Sequence, residues 1–150
     1  MTLERRSATK IGQMLSGAFL ALALLAGLWL PTAAQTSETD PAVLGLWLTE
    51  KKKVLIEFYP CANEVCGRIV WLGKPYLKSG ELRRDTHNSD PSLRSRGWCG
   101  IEVVKGLEPE DGKYWENGKF YNPKDGSTYD LDLGPVRGDT IKALLNRFPG

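Results

Sequence analysis

From Val43 onward the chain is a succession of short, strand-like apolar runs separated by turn residues. This spacing constrains the fold more than any other feature. Gly45 to Thr49, Val54 to Tyr59, Val65 to Leu72, Trp98 to Lys105 and Ser127 to Leu133 are the candidate strands. Within Val54 to Tyr59 the residues alternate: Val54, Ile56 and Phe58 share one face, and Leu55, Glu57 and Tyr59 the other. A period of two belongs to a strand with one buried face. No run keeps a helical period long enough for an amphipathic helix. Many short strands at near-regular spacing predict an all-β chain, an antiparallel barrel or sandwich.

The turns follow from residue chemistry. Glu50 to Lys53 is a charged turn, and Pro109 to Gly112 and Pro123 to Gly126 are two more. Asn117-Gly118, between Tyr114-Trp115-Glu116 and Lys119-Phe120-Tyr121-Asn122, reads as a type I′ hairpin turn, which needs positive φ at both central residues. Residues 73–97 form the longest irregular stretch. Inside it, Asp90-Pro91-Ser92-Leu93-Arg94 predicts one helical turn, with Asp90 as N-cap and Pro91 at the first helical position. Ile141 to Leu145 fits a final strand or a helical turn.

The N-terminus points to export. Arg5, Arg6 and Lys10 precede a charge-free apolar run, Leu15 to Leu30, and then Pro31-Thr32-Ala33-Ala34. Positive, apolar and small-residue regions in this order are the layout of a secretory signal. Thr32 and Ala34 suit the small subsites of a signal peptidase, which places the cut after Ala34. The competing reading is a permanent anchor. The apolar run is short for a span of about 20 residues, so the membrane is expected to matter only during export. The expected organisation is a signal at 1–34, a polar leader at 35–42 and one domain at 43–150, in the periplasm or outside the cell. Cleavage removes three basic residues and Glu4, so the excess of 20 Lys+Arg over 18 Asp+Glu vanishes. Nucleic-acid binders carry a basic footprint, so nucleic acid is excluded as an expected partner.

Three cysteines in an exported chain allow one disulfide. Cys61 and Cys66 bracket a short loop between two strand runs and are the first choice; Cys66–Cys99 is the alternative. Their spacing with a single His is poor for zinc, so no metal is expected there. Cys99 precedes an apolar run and reads as buried and inert.

The densest polar constellation is Asp85-Thr86-His87-Asn88-Ser89-Asp90-Pro91-Ser92-Leu93-Arg94-Ser95-Arg96. Asp85, His87 and Asp90 offer an acid/base set, or Asp85, Asn88 and Asp90 a set of calcium oxygens. A structured loop explains the same residues better, with Asx turns, a cap at Asp90, and Arg94 or Arg96 paired to carboxylates. No nucleophile elbow, phosphate loop or zincin motif occurs, so no catalytic residue and no cofactor is assigned.

Several segments, taken together and in order, resemble the bacterial domain of unknown function 2147 family. They are Gly45-Leu46-Trp47, Tyr59-Pro60-Cys61, Cys66-Gly67-Arg68-Ile69-Val70-Trp71-Leu72, Asn88 to Arg96, Cys99-Gly100 and Gly118 to Tyr129. The resemblance covers roughly Val43 to Leu133. It implies an exported, lipocalin-like, up-and-down antiparallel barrel and carries no catalytic residues. The family pattern continues into a last strand that the segment from Val136 to Gly150 does not match, as a truncation or frameshift would leave it. The expectation is therefore a barrel incomplete at its C-terminus, with an exposed edge and Trp47 short of a packing partner.

The expected function is binding of a small apolar molecule inside the barrel. Trp47, Phe58, Trp71, Trp98, Tyr121 and Tyr129 are the candidate lining residues. Asp85, His87, Asn88, Asp90, Arg94 and Arg96 are the polar loop set. The alternatives are an envelope interaction module that meets an unknown protein partner through the 73–97 loop, and, last, a hydrolase-type enzyme.

Overall fold

The computed structural model describes residues 1–6, 42–111 and 113–147. The apolar run at 15–30, the cut after Ala34 and the leader up to residue 41 lie outside the described residues. Eight strands close an antiparallel up-and-down barrel in sequence order: β1 (Thr2–Arg6), β2 (Gly45–Thr49), β3 (Val54–Cys61), β4 (Glu64–Leu72), β5 (Glu102–Glu110), β6 (Tyr114–Asn122), β7 (Ser127–Leu133) and β8 (Thr140–Arg147). A single 3₁₀ turn, Pro91–Leu93, lies in the long loop between β4 and β5.

The expected C-terminal gap is absent. The segment around Ile141 is a strand, β8, and β1 fills the place between β2 and β8. Leu3 pairs with Thr49 on one side and Ile141 on the other. Leu3 is buried in the core, and the Arg5 guanidinium sits 4.8 Å above the Trp47 ring. Trp47 is fully buried and donates its indole N–H to the Val43 carbonyl at 2.7 Å. Arg5 and Arg6, two of the basic residues at the chain's start, are thus strand residues here.

Bulges set which side chains face inward: the β4–β5 ladder shifts register twice, and two further bulges decide the placement of candidate lining residues. Leu55 pairs with Trp71 but Ile56 with Ile69, so Val70 is an extra residue in β4. In β6, Trp115 pairs with Leu133 and Gly118 with Leu131, again one residue too many. A bulge reverses the alternation beyond it. Asn117-Gly118 is therefore a bulge inside a continuous strand, not a hairpin turn. The turn between β5 and β6 falls after Glu110, where Asp111 has φ 49°. Asn117 does take the positive φ its sequence suggests, at 62°. Gly118 is needed for contact: a Cβ there would lie 2.6 Å from Leu107 Cδ2 and 2.8 Å from the Leu131 carbonyl oxygen. β5 starts at Glu102, later than the sequence suggests, because residues 98–101 still belong to the loop.

The core sits toward one end. Val43, Val65, Leu107, Trp115 and Leu133 are essentially inaccessible there. The Cys61–Cys66 disulfide, with Cα atoms 5.8 Å apart, ties the β3–β4 turn at this same end. Cys99 is free and, contrary to expectation, exposed, since it lies on the loop ahead of β5 rather than in the strand. Chain direction puts Met1, the 50–53 turn, the 73–101 loop and the 123–126 turn at the opposite end.

Candidate functional site: a barrel mouth with a basic rim

The end opposite the disulfide is hollow. A cavity of about 520 Å³ opens there. Its wall is apolar: Val54 and Ile56 from β3, Ile69 from β4, Val103 from β5, Phe120 from β6 and Leu145 from β8, with Trp98 from the loop. Met1 also contributes, held by its amino group at 2.9 Å from the Ala143 carbonyl oxygen. The rim is charged, with Lys51, Lys53 and Lys124 against Glu50.

The six candidate lining residues separate. Trp98 lines the cavity, donating its indole N–H to the Arg84 carbonyl at 2.9 Å and stacking under Arg83. Trp47 and Phe58 are buried in the core rather than on the cavity wall. Tyr129 pairs with the lining residue Phe120 and is half-buried; its hydroxyl donates to Asp125 at 3.1 Å. Trp71 and Tyr121 are corrections. Trp71 is 47 % exposed because the Val70 bulge turns it outward and Leu72 inward. The bulge in β6 likewise brings Phe120 to the cavity and sends Tyr121 to the outer face. Ile56 was legible from its alternation with Phe58; Phe120 was not, since alternation from Trp115 selects Tyr121 instead.

On that outer face Tyr121 anchors the long loop. Its hydroxyl donates to Asp85 Oδ1 at 2.5 Å, and Asn88 Nδ2 donates to Asp85 Oδ2 at 2.8 Å. Arg96 adds two bonds to Asp85 Oδ2, at 3.0 Å from Nε and 2.9 Å from the terminal nitrogen. Asp85 is fully buried, and burial alone would raise its carboxyl pKa. The bonds from Tyr121, Asn88 and Arg96 outweigh that and hold it below the usual carboxylate value. Burial, then the bond to Asp85, pushes the Tyr121 hydroxyl up to about 12.

The rest of the loop is bonded internally. Asp90 caps the 3₁₀ turn through Ser92, whose side-chain and backbone bonds lower the Asp90 pKa. Arg94 Nε donates to the Asn88 carbonyl at 2.7 Å. Gly126 lets the loop seat on the β6–β7 turn: a Cβ there would lie 2.1 Å from the His87 carbonyl oxygen. His87 itself is exposed. Asp85, His87 and Asp90 therefore do not form an acid/base set, because Asp85 is committed to Arg96 and Tyr121 and Asp90 to Ser92. The oxygens of Asp85, Asn88 and Asp90 are likewise turned to protein donors rather than to a shared cation.

A closed eight-stranded antiparallel barrel, tight at one end and hollow at the other, defines a lipocalin-like protein. The family model described as "Uncharacterized protein conserved in bacteria (DUF2147)" matches residues 45–144, and the chain belongs to that family. A solved structure, protein HP1028 from the human pathogen Helicobacter pylori, described as belonging to the lipocalin family, has the same fold. It is 19% identical with a TM-score of 0.55, over 67% of this chain and 66% of that one. No curated protein matches the chain.

Proposed function

We propose that this protein is an exported binding protein whose barrel takes a small, largely apolar molecule through its open mouth. The observation that carries the reading is the cavity of about 520 Å³ walled by Val54, Ile56, Ile69, Val103 and Phe120. Its size falls within the ordinary range for small-molecule sites, and its lining is of the usual apolar kind. Export rests on the residue order of the N-terminus.

Export and the observed closure pull against each other. A cut after Ala34 removes β1, so Leu3 leaves the core and the facing edges of β2 and β8 lose their partner. Met1 leaves the mouth, while the cavity residues from Val54 to Leu145 stay in the chain.

Titration with N-phenyl-1-naphthylamine, which fluoresces in apolar surroundings, tests the binding reading. Saturable binding is expected, and Val54→Trp, which fills the mouth, abolishes it while far-ultraviolet circular dichroism is unchanged. A flat titration of folded protein overturns the reading. Fractionation of cells producing the chain tests export. The expected periplasmic species starts at Gln35; a cytosolic species that keeps Met1 overturns it.

A further inference from the structure

We infer that the ligand is an anionic amphiphile, with its apolar body in the barrel and its acid group at the mouth beside Lys124. The inference rests on the binding-protein reading above and adds the ligand's charge.

Lys51, Lys53, Lys124 and the Met1 ammonium, the last bonded to the Ala143 carbonyl, stand against Glu50 at the entrance. The ion pairs among the described residues are Arg68–Glu57, Arg96–Asp85, Lys105–Glu102 and Lys119–Asp130, and none uses a mouth lysine. All three lysines are exposed, so their ammonium groups remain solvated while their stems border the apolar wall.

A second hollow of about 420 Å³ lies beside the first, under the long loop. It shares Trp98 and Lys124 with the cavity and adds Arg83, Arg84 and Glu81. Lys124 borders both hollows, and each has more cationic than anionic side chains in its lining.

The physical division is plain. An ionised acid drawn down among Ile56, Ile69 and Phe120 would lose its hydration with no partner there. At the rim it keeps water and gains the lysines. A cationic head group would face like charges at the same place.

Carboxylates and phosphate monoesters share this chemistry, and ligands of equal chain length separate them. On the full chain, dodecanoate, dodecyl phosphate, dodecanol and dodecylamine compete against bound N-phenyl-1-naphthylamine below their micellar concentrations. One of the two acids is expected to displace the probe at a concentration about tenfold lower than dodecanol, since exposed pairs each contribute a factor of a few. The tighter of the two identifies the head group. Lys124→Glu is expected to weaken the acids more than dodecanol and so erase that preference. Raising the salt to 0.5 M, where screening is strong, is expected to shrink it. Equal displacement by dodecanol and both acids overturns the anionic assignment and leaves the apolar cavity standing. So does tighter binding of dodecylamine. Failure of the probe to bind at all overturns the underlying reading instead.

Discussion

The two ends of this barrel are built from the same strands but held by different forces. At the closed end Val43, Val65, Leu107, Trp115 and Leu133 pack without solvent, and a disulfide ties the adjoining turn. At the mouth the long loop is latched to the outer face of β6 by Asp85, Arg96, Asn88 and Tyr121. The difference teaches where stability and where responsiveness reside. Apolar packing is insensitive to pH, whereas a carboxylate–phenol–guanidinium latch holds only while each group keeps its protonation state.

The largest effect is expected at the closed end. Trp115→Ala should lower unfolding free energy by about 3–5 kcal/mol, measured by denaturant titration. A finer test compares Trp115→Phe with Trp47→Phe. The Trp115 indole N–H is buried without a hydrogen-bond partner among the described residues, whereas that of Trp47 bonds to Val43. Removing an unpaired donor relieves a cost, and removing a paired one strands a carbonyl. Trp115→Phe should therefore be milder by about 1 kcal/mol; equal losses would refute this account of the two indoles.

The mouth is expected to yield to pH. Asp85 has a depressed pKa in the fold, so its stabilisation is complete above the unfolded value of about 3.9 and is lost as pH falls through the folded value. Tyr121 is raised to about 12, so its part is complete below about 10 and is lost as pH rises through 12. Hydrogen exchange reads this directly. The Asp85 amide, bonded to the Arg96 carbonyl, and the Asn88 amide, bonded to Asp85, should lose protection in acid before those of β6 and β7. Asp85→Asn should cost about 2 kcal/mol and remove the acid dependence of these two amides. Simultaneous loss at both ends would break the comparison.

The smallest effect is expected from the disulfide. Cys61 and Cys66 are 5 residues apart. So short a loop gives about 2 kcal/mol or less by loop-closure entropy. Cys61→Ser with Cys66→Ser should lower the melting temperature modestly and leave the latch amides unchanged.

Much of the fold was legible. The alternation in β3 placed Ile56 and Phe58 inward, and the cysteine spacing gave the disulfide that forms. The spacing of turns gave an all-β chain, barrel or sandwich, and the family resemblance pointed to the barrel. The lining was only partly legible. Trp71 and Tyr121 were misplaced for one shared reason: each follows a bulge, and an extra residue reverses which side chains face inward. Asn117-Gly118 carries a strong local turn signal that its neighbours overrule. Leu107 and Leu131 pack against Gly118, and β6 runs straight through. Nor could the pattern reveal that Thr2–Arg6 would close the barrel, since its partners Leu46 to Thr49 and Thr140 to Lys142 are far away in sequence.

The sequence by itself determined the strand-rich class and the family and ranked the Cys61–Cys66 pairing ahead of Cys66–Cys99, because these rest on local periodicity, short spacing and ordered motifs. Tertiary structure alone decided which faces line the cavity, which strand closes the barrel and which lysines gather at the mouth. Each of these depends on register between distant strands, and register is fixed only when all the strands pair at once.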